Sequence, residues 1–303
     1  MPDEPNRPRL TRRGLLIGAG GVVVLGAAAA FAGVETNVLP GRSTLYRVMG
    51  WDGPQGVIPK TKPGPIVMGS FTSPARLGKT SRWELAYPPG SKPGDKLPIL
   101  VGLHGFGGSH RSMFGDPLGL EYFLAQAVAD GVAPFAIASV DGGSSYWHKR
   151  ATGENSAAMV TDEFLPLLAE QGLDVSKVGL LGFSMGGFGA LYIASLLGAS
   201  RCRVVVAESP ALWTSYARAA HGAFDSAADF AACTPFGRQS ELDGMGVMVD
   251  CGTGDGFYPT AEKYVAGFTT KPRSDFPAGG HNDSFWRRLA PMQLRFVGET
   301  LAS

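Results

Sequence analysis

Residues 182–186 read Gly-Phe-Ser-Met-Gly, a pattern that could carry nucleophilic chemistry. A serine flanked by glycines at this spacing is typical of a sharp turn between a buried strand and a helix. Here an apolar run at 177–183 precedes Ser184, and a helical pattern at 185–197 follows it. The glycines leave room for the turn, and the helix dipole stabilises negative charge that develops beside the serine. We therefore predict that Ser184 is a nucleophile.

A nucleophilic serine needs a base, and the base needs an acid that orients it. Two histidines follow Ser184 in the chain. His281 lies in a glycine-rich loop just before the last predicted helix, where this arrangement presents its base. His221 lies inside a segment that matches no sheet element. His281 is therefore the predicted base.

The orienting acid is expected on the loop after the strand at 246–251, between the serine and the histidine in chain order. Asp255 lies in that loop and is our choice. Asp250 is still within the strand and could brace the loop instead. Asp283 lies two residues after His281, where a carboxylate could be solvated or could cap the next helix.

Two backbone N–H groups are expected to stabilise the negatively charged oxygen that such a nucleophile generates. One belongs to Met185, the residue after the serine. The second is expected from the glycine-rich loop at 104–109, with Phe106 as first choice and Gly107 as second. We interpret His104, at the start of that loop, as a strand-end residue bonded to the backbone.

A loop at 145–150 is expected near the mouth of the site and offers Tyr146, Trp147, His148 and Arg150 as substrate contacts. Aromatic rings and cations there could hold a sugar face or a carboxylate. Equally, the loop could be a surface loop with ordinary aromatic anchors. Aromatic residues at 213–236 could line an acyl pocket or form the core of their own segment.

The elements that must position these residues alternate between strand and helix, which predicts an α/β fold with a mostly parallel sheet flanked by helices. Continuous apolar runs suit strands that are buried on both faces. Such runs lie at 97–104, 135–140, 177–183, 203–208 and 246–251, after two antiparallel strands at 65–73 and 82–87. Helices are predicted at 118–129, 156–171, 185–197, 260–268 and 284–301, with Pro166 bending the second. Residues 210–243 match no sheet element and predict a small helical cap.

The first 32 residues have the composition of an export signal. Arg12-Arg13 precedes an uncharged stretch rich in glycine and alanine, and Ala30-Phe31-Ala32 is a small-residue cleavage pattern. The arginine pair resembles a twin-arginine signal. An ordinary secretory signal and an uncleaved anchor are the alternatives. We expect an exported bacterial protein with a signal at 1–32, an extended leader at 33–62, a catalytic domain at 63–303, and no stable membrane span after cleavage.

Composition excludes several classes of protein. Hydrophobic residues make up 44% and charged residues 17%, so the chain is not intrinsically disordered. A net charge of +1 without a basic run argues against nucleic-acid binding. The three cysteines allow at most one disulfide and are interpreted as small buried residues, and the five scattered histidines predict no metal site. The segment Gly78-Lys79-Thr80 lacks the first glycine of a phosphate-binding loop.

Taken in order, the segments 104–108, 141–144, 182–187, 251–255 and 280–281 resemble the esterase D-type branch of the α/β-hydrolases. That branch includes S-formylglutathione hydrolase, feruloyl esterases and mycolyltransferases. The resemblance covers about residues 64–301 and implies an α/β-hydrolase fold and a Ser-Asp-His acyl-transfer enzyme that needs neither a metal nor an organic cofactor.

The resemblance leaves the substrate open. We expect a serine esterase acting on a small-molecule or glycan ester. An acyltransferase that acylates a cell-envelope glycan, a serine peptidase and a non-catalytic glycan-binding protein remain alternatives. The oligomeric state is not predicted.

Overall fold

A computed structural model of the chain describes residues 42–303, and the predicted export signal lies outside these residues. In the described part, eight strands form one sheet. The strands are β1 Ile66–Ser73, β2 Lys79–Ala86, β3 Pro98–Leu103, β4 Ala136–Val140, β5 Asp174–Phe183, β6 Cys202–Glu208, β7 Gly246–Asp250 and β8 Arg273–Asp275. Their order across the sheet is β1-β2-β4-β3-β5-β6-β7-β8. β1 and β2 are antiparallel to their neighbours, and all the other neighbouring strands, from β4 across to β8, are parallel.

Both faces of the central strands are buried, because alternate side chains of a strand point to opposite sides. In β3, Ile99 and Val101 belong to one apolar cluster, whereas Leu100 belongs to the cluster on the other side. In β5, Leu180 and Leu181 divide in the same way. The continuous apolar runs in the sequence are thus the strands of a two-sided core.

Helices cover the two faces of the sheet. The helices are α1 Arg42–Met49, α2 Leu120–Ala129, α3 over 156–170, α4 Met185–Arg201, α5 Ala227–Cys233, α6 Tyr258–Ala266 and α7 Asp283–Leu301. Residues of α3, α4 and α6 pack in the cluster that contains Ile99, and residues of α2 and α7 pack in the cluster that contains Leu100. Short 3₁₀ helices span His110–Met113, Tyr216–Arg218 and Gln239–Leu242. No described helix is long and apolar enough to cross a membrane.

The predicted α/β fold and its strand order along the chain are confirmed, with differences in local detail. β8 was not predicted, because its three residues have no apolar pattern. In the sheet it pairs with one strand, β7. The helix α3 contains a π-helical segment, Met159–Phe164, just before Pro166, whose missing N–H cannot close an ordinary helical turn.

The N-terminal segment differs from the extended leader that we predicted. Its described part begins with the helix α1 and continues without regular structure from residue 50 to residue 65. This irregular part lies along α7, where Arg287 donates to the carbonyl of Gly56 at 3.1 Å and Arg288 donates to that of Pro54 at 2.9 Å. The two arginines supply partners for a backbone that has no ladder of its own.

Candidate active site

Ser184 occupies the turn between β5 and α4, and its backbone has a positive φ of 57° with ψ −122°. A non-glycine residue rarely adopts a positive φ, so the surroundings must hold it there. Ser184 N–H donates to the carbonyl of Glu208 at 3.0 Å, and its own carbonyl accepts from Ala211 N–H at 2.9 Å. These bonds to the end of β6 fix the turn from one side.

The two glycines of the turn are required by close backbone packing. A Cβ on Gly182 would overlap the carbonyl oxygen of Gly186, and a Cβ on Gly186 would overlap that of Leu103, the last residue of β3. The turn therefore lies directly against the end of the neighbouring strand. Gly182 and Gly186 allow Ser184 to stand at the carboxyl edge of the sheet, as the sequence pattern predicted.

The structure brings Ser184, His281 and Asp255 together in one hydrogen-bonded chain. Ser184 Oγ lies 2.9 Å from His281 Nε2, and His281 Nδ1 lies 2.7 Å from Asp255 Oδ2. The carboxylate is 1% exposed, whereas the imidazole is 27% exposed and can be reached from solvent. With Nδ1–H donating to Asp255, Nε2 is left free to accept the proton of the serine hydroxyl.

Backbone hydrogen bonds join the loop of the acid to the loop of the histidine. Thr253 N–H donates to the carbonyl of Pro277 at 2.9 Å, and Gly254 N–H donates to that of Gly279 at 2.7 Å. The second oxygen of Asp255 accepts from Phe257 N–H at 2.9 Å. The distance between Asp255 and His281 is therefore set by backbone contacts as well as by the two side chains.

Asp250 and Asp283, the other carboxylates considered, have different partners. Asp250 accepts from the backbone N–H of Asp275 at 2.9 Å and from the Gln293 amide at 3.2 Å, and so braces the strand end. Burial raises the pKa of Asp250 to about 7. The helix α7 is capped by Asn282, which accepts from Phe285 N–H, rather than by Asp283.

Glu208 is a buried carboxyl group behind the triad that the sequence analysis did not consider. It is the last residue of β6 and is 3% exposed. Burial, with a smaller contribution from the nearby Asp250, raises the pKa of this carboxyl well above its ordinary value. Both groups are therefore protonated more readily than ordinary carboxylates, which limits the negative charge packed behind Asp255.

The loop after β3 passes beside the nucleophile. Gly108 N–H donates to the carbonyl of Gly105 at 3.1 Å, so the chain turns at Phe106 and Gly107. Gly107 has φ +73°, a value that favours glycine. A Cβ on Gly105 would lie 3.5 Å from that of Ser184. The predicted N–H donors Phe106 and Gly107 thus belong to a tight turn next to Ser184.

Met185 is the first residue of α4, and a helix leaves its first N–H groups without a partner inside the helix. Its position beside the serine follows from the turn itself. The amide of Met185 and the turn at Phe106 and Gly107 therefore belong to the two chain segments that flank Ser184.

A row of aromatic rings runs from the histidine to this loop. Ring centroids are 5.5 Å apart for His281 and Phe257, 5.6 Å for Phe257 and Trp213, 5.7 Å for Trp213 and Tyr146, and 5.9 Å for Tyr146 and Phe106. Phe106 is 66% exposed. The row gives the site an apolar wall with an open end.

Tyr146 is the one residue of the 145–150 loop that contributes to this wall. Tyr146 and Trp147 both have positive φ, 56° and 57°. Trp147 is completely buried, and its indole N–H donates to the carbonyl of His104 at 3.2 Å. Trp147 therefore anchors the loop and does not face a substrate.

His148 and Arg150 also have partners inside the protein. His148 is completely buried, and Arg150 forms an ion pair of 2.7 Å with Asp225. The structure therefore does not place either residue as a substrate contact. The sequence suggested these contacts because aromatic and basic residue types do not by themselves reveal which side chains are held inside the protein.

His104 is buried, as expected, and has a structural role. Its Nδ1 donates to the carbonyl of Gly105 at 2.8 Å, and its Nε2 accepts from Gly142 N–H at 3.0 Å. Burial lowers the pKa of His104, which favours the neutral ring that this arrangement requires.

Phe257 is the residue of the site that the sequence analysis missed. It follows Asp255 by two positions, and its ring contacts His281. The sequence offered one signal for this role, an aromatic residue in the loop that carries Asp255. His221 is exposed and lies in the 210–243 segment, which forms short helices between β6 and β7.

The family model Esterase, described as "Putative esterase", matches residues 75–288, well over half of the sequence. These residues include Ser184, Asp255 and His281. A search of curated proteins found no match.

Solved structures share the fold at low sequence identity. A ferulic acid esterase is 18% identical with a TM-score of 0.67, covering 78% of this chain and 98% of its own. The S-formylglutathione hydrolase of Agrobacterium tumefaciens is 19% identical with a TM-score of 0.64, covering 78% and 95%. A ferulic acid esterase of Anaeromyces mucronatus, solved with ferulic acid, is 17% identical with a TM-score of 0.62, covering 83% and 95%.

The contact between Gly186 and β3 makes a prediction about stability. Gly186→Ala forces backbone atoms apart at the centre of the sheet, so we expect a loss of about 3 kcal/mol or more and a melting temperature lower by roughly 6 °C or more. Gly256→Ala is the matched control, because no atom lies within 4 Å of its added Cβ. Its change should stay within about 0.5 kcal/mol. Equal melting temperatures for the two variants would contradict the packing described here.

Proposed function

Since this chain belongs to the Esterase family and is an esterase of the serine hydrolase type, we propose that it cleaves carboxylic esters through an acyl-enzyme on Ser184. The observation that carries the proposal is the hydrogen-bonded chain from Ser184 through His281 to Asp255 at a strand-to-helix turn. A binding protein would have no need of all three groups in this geometry.

In the first half of the reaction, Ser184 Oγ attacks the ester carbonyl carbon while its proton passes to His281 Nε2. The carbonyl π electrons move onto oxygen, and the N–H groups of Met185 and of Phe106 or Gly107 stabilise that oxyanion. His281 then protonates the leaving alcohol as the C–O bond breaks. Asp255 holds the imidazole in the required tautomer and stabilises its positive charge.

In the second half, water takes the place of the alcohol. His281 removes a proton from the water as its oxygen attacks the acyl carbon, and the proton then returns to Ser184 Oγ as the acyl bond breaks. The products are a carboxylic acid and the free enzyme. An acceptor sugar hydroxyl in place of water would give the acyltransferase reaction.

The aromatic wall supports an ester with an apolar or flat group near the carbonyl. Four rings line the path from the base to the oxyanion loop, belonging to Phe257, Trp213, Tyr146 and Phe106. Aromatic side chains favour stacking with flat groups. Two of the similar structures are named as ferulic acid esterases, which is consistent with a small aromatic ester as substrate.

The nucleophile is tested by covalent labelling with a fluorophosphonate, read out by intact mass, and by hydrolysis of p-nitrophenyl esters. Wild type should gain one adduct. Ser184→Ala should gain none and lose at least about 10³-fold in rate, as removal of a triad member does. Ser195→Ala is the matched control on the same helix, since Ser195 donates only to the backbone of Tyr192.

Labelling of Ser184→Ala at the wild-type level would place the nucleophile elsewhere. A wild type that is folded but gains no adduct would favour the glycan-binding alternative. Formation of an acylated sugar when trehalose or another sugar is added would identify the transferase reaction.

The acid is tested with two isosteric changes. Asp255→Asn would present an amide that stabilises the wrong tautomer of His281, so the rate at neutral pH should fall by up to about 10⁴-fold. Asp250→Asn should cost less than about tenfold, under ~1.4 kcal/mol, because Asp250 bonds to the Asp275 N–H and the Gln293 amide and does not contact the imidazole. Thermal melts of both variants exclude unfolding. If Asp250→Asn is inactive while Asp255→Asn is active, the assignment of the acid is reversed.

We also propose that the enzyme is exported, on the pattern of residues 1–32 alone. Replacing Arg12 and Arg13 together by lysine should block export if the signal is of the twin-arginine type. The measurement is the distribution of full-length and processed protein between cytoplasm and medium. Unchanged export of the double variant would favour the general secretory route.

A further inference from the structure

A cluster of three side chains lies behind the aromatic wall and takes no part in the proposed reaction. It consists of His148, Asp229 and Cys233, whose Nδ1 or Nε2, carboxylate oxygen and Sγ lie within 4.8 Å of one another. Asp229 and Cys233 lie one turn apart on α5, and His148 lies two residues after Tyr146. The sequence analysis predicted no grouping of histidines with metal ligands, because these residues are far apart in the chain.

The tautomer of His148 leaves an unusual contact. Its Nε2 lies 2.9 Å from the carbonyl oxygen of Ala223 and must donate a proton to it. The other ring nitrogen, Nδ1, lies 2.9 Å from the carbonyl oxygen of Lys149 and 3.5 Å from Asp229 Oδ1. Nδ1 therefore faces two oxygen atoms, one from the backbone and one from a carboxylate.

The distances within the cluster match the spacing of ligands around a single tetrahedral ion. In the two other His–carboxylate pairs, His281 with Asp255 and His110 with Asp141, the nitrogen and oxygen are 2.7 Å apart. His148 and Asp229 are 3.5 Å apart, and Cys233 Sγ lies 3.6 Å from the same carboxylate oxygen. A tetrahedral zinc ion with bonds of about 2.0–2.3 Å would separate nitrogen and oxygen by about 3.3 Å and sulfur and oxygen by about 3.5 Å.

From this geometry we infer that His148 Nδ1, Asp229 Oδ1 and Cys233 Sγ form a binding site for a zinc ion. A soft sulfur, an imidazole nitrogen and a carboxylate oxygen form a donor set that suits Zn²⁺. Cys233 is a free cysteine, and its thiol gives its proton to the solvent when the sulfur coordinates the metal. One thiolate and one carboxylate then balance the charge of the ion, and the carbonyl oxygen of Lys149, 2.9 Å from Nδ1, is the nearest further donor.

Neighbouring groups are arranged to support the three ligands. The Nε2–H bond to Ala223 fixes the orientation of the His148 ring. Asp229 Oδ2 accepts from Asp225 N–H at 2.8 Å, and the Tyr192 hydroxyl hydrogen-bonds to Cys233. The ion would join α5 to the loop that carries Tyr146, so it stabilises the wall of the candidate active site without touching Ser184.

The test is metal binding by the purified enzyme, independent of ester hydrolysis. Wild type is stripped with a chelator, and then titrated with Zn²⁺ and separately with Co²⁺, with metal content and absorption measured. We expect one ion per chain, a thiolate-to-cobalt charge-transfer band, and a higher melting temperature with zinc. Cys233→Ala and Asp229→Asn should weaken binding by at least about 100-fold, since the loss of supporting residues alone costs 10–100-fold.

The matched control is Cys202→Ala, because Cys202 is also buried but lies in β6, away from the cluster. It should bind zinc as wild type does. A folded wild type that binds no ion and gives no cobalt band would overturn the inference. Zinc binding by Cys233→Ala and Asp229→Asn at the wild-type affinity would also overturn it, because the ion would then occupy another site.

Discussion

At the turn that carries Ser184, the backbone of Gly186 lies against the last carbonyl of β3, with no space between them for a side chain. This contact brings two neighbouring parallel strands together at their carboxyl ends. It holds Ser184 at a positive φ and places it beside the glycine-rich loop that follows β3. The positions of the nucleophile, of the proposed oxyanion donors and of the start of α4 all follow from this one packing constraint.

His281 and Asp255 reach Ser184 through a second backbone contact. The loops after β7 and β8 are hydrogen-bonded to each other through Thr253 and Gly254, so Asp255 and His281 meet with little dependence on side-chain flexibility. Glu208 and Asp250 lie behind them with raised pKa values, which keeps additional negative charge low in a buried region. In the proposed mechanism, the carboxylate of Asp255 is then the one that faces the imidazole.

The segment between β6 and β7 completes the site from outside the sheet. Trp213 contributes a ring to the aromatic wall, and Phe224 packs against Tyr146 with centroids 6.4 Å apart. The loop of Tyr146 is held by the buried Trp147 on one side and by the contacts of His148 on the other. The wall therefore depends on residues that cannot touch a substrate, and a metal ion at His148 would act on the same connection.

The sequence by itself determined the fold class and predicted the three residues that the structure brings together, because these depend on local patterns. Apolar runs identify strands buried on both faces, and glycines around Ser184 identify a turn that tolerates no side chains. The order of serine, acid and histidine left few candidates. Tertiary structure alone decided which side chain of the 145–150 loop joins the aromatic row, since Tyr146 contacts Phe106 whereas its neighbour Trp147 bonds to the backbone of His104. It also decided the addition of β8 to the sheet and the meeting of His148 with Asp229 and Cys233. These features arise from contacts between distant segments, and the burial of a side chain by a distant segment leaves no periodic signal in the sequence around it.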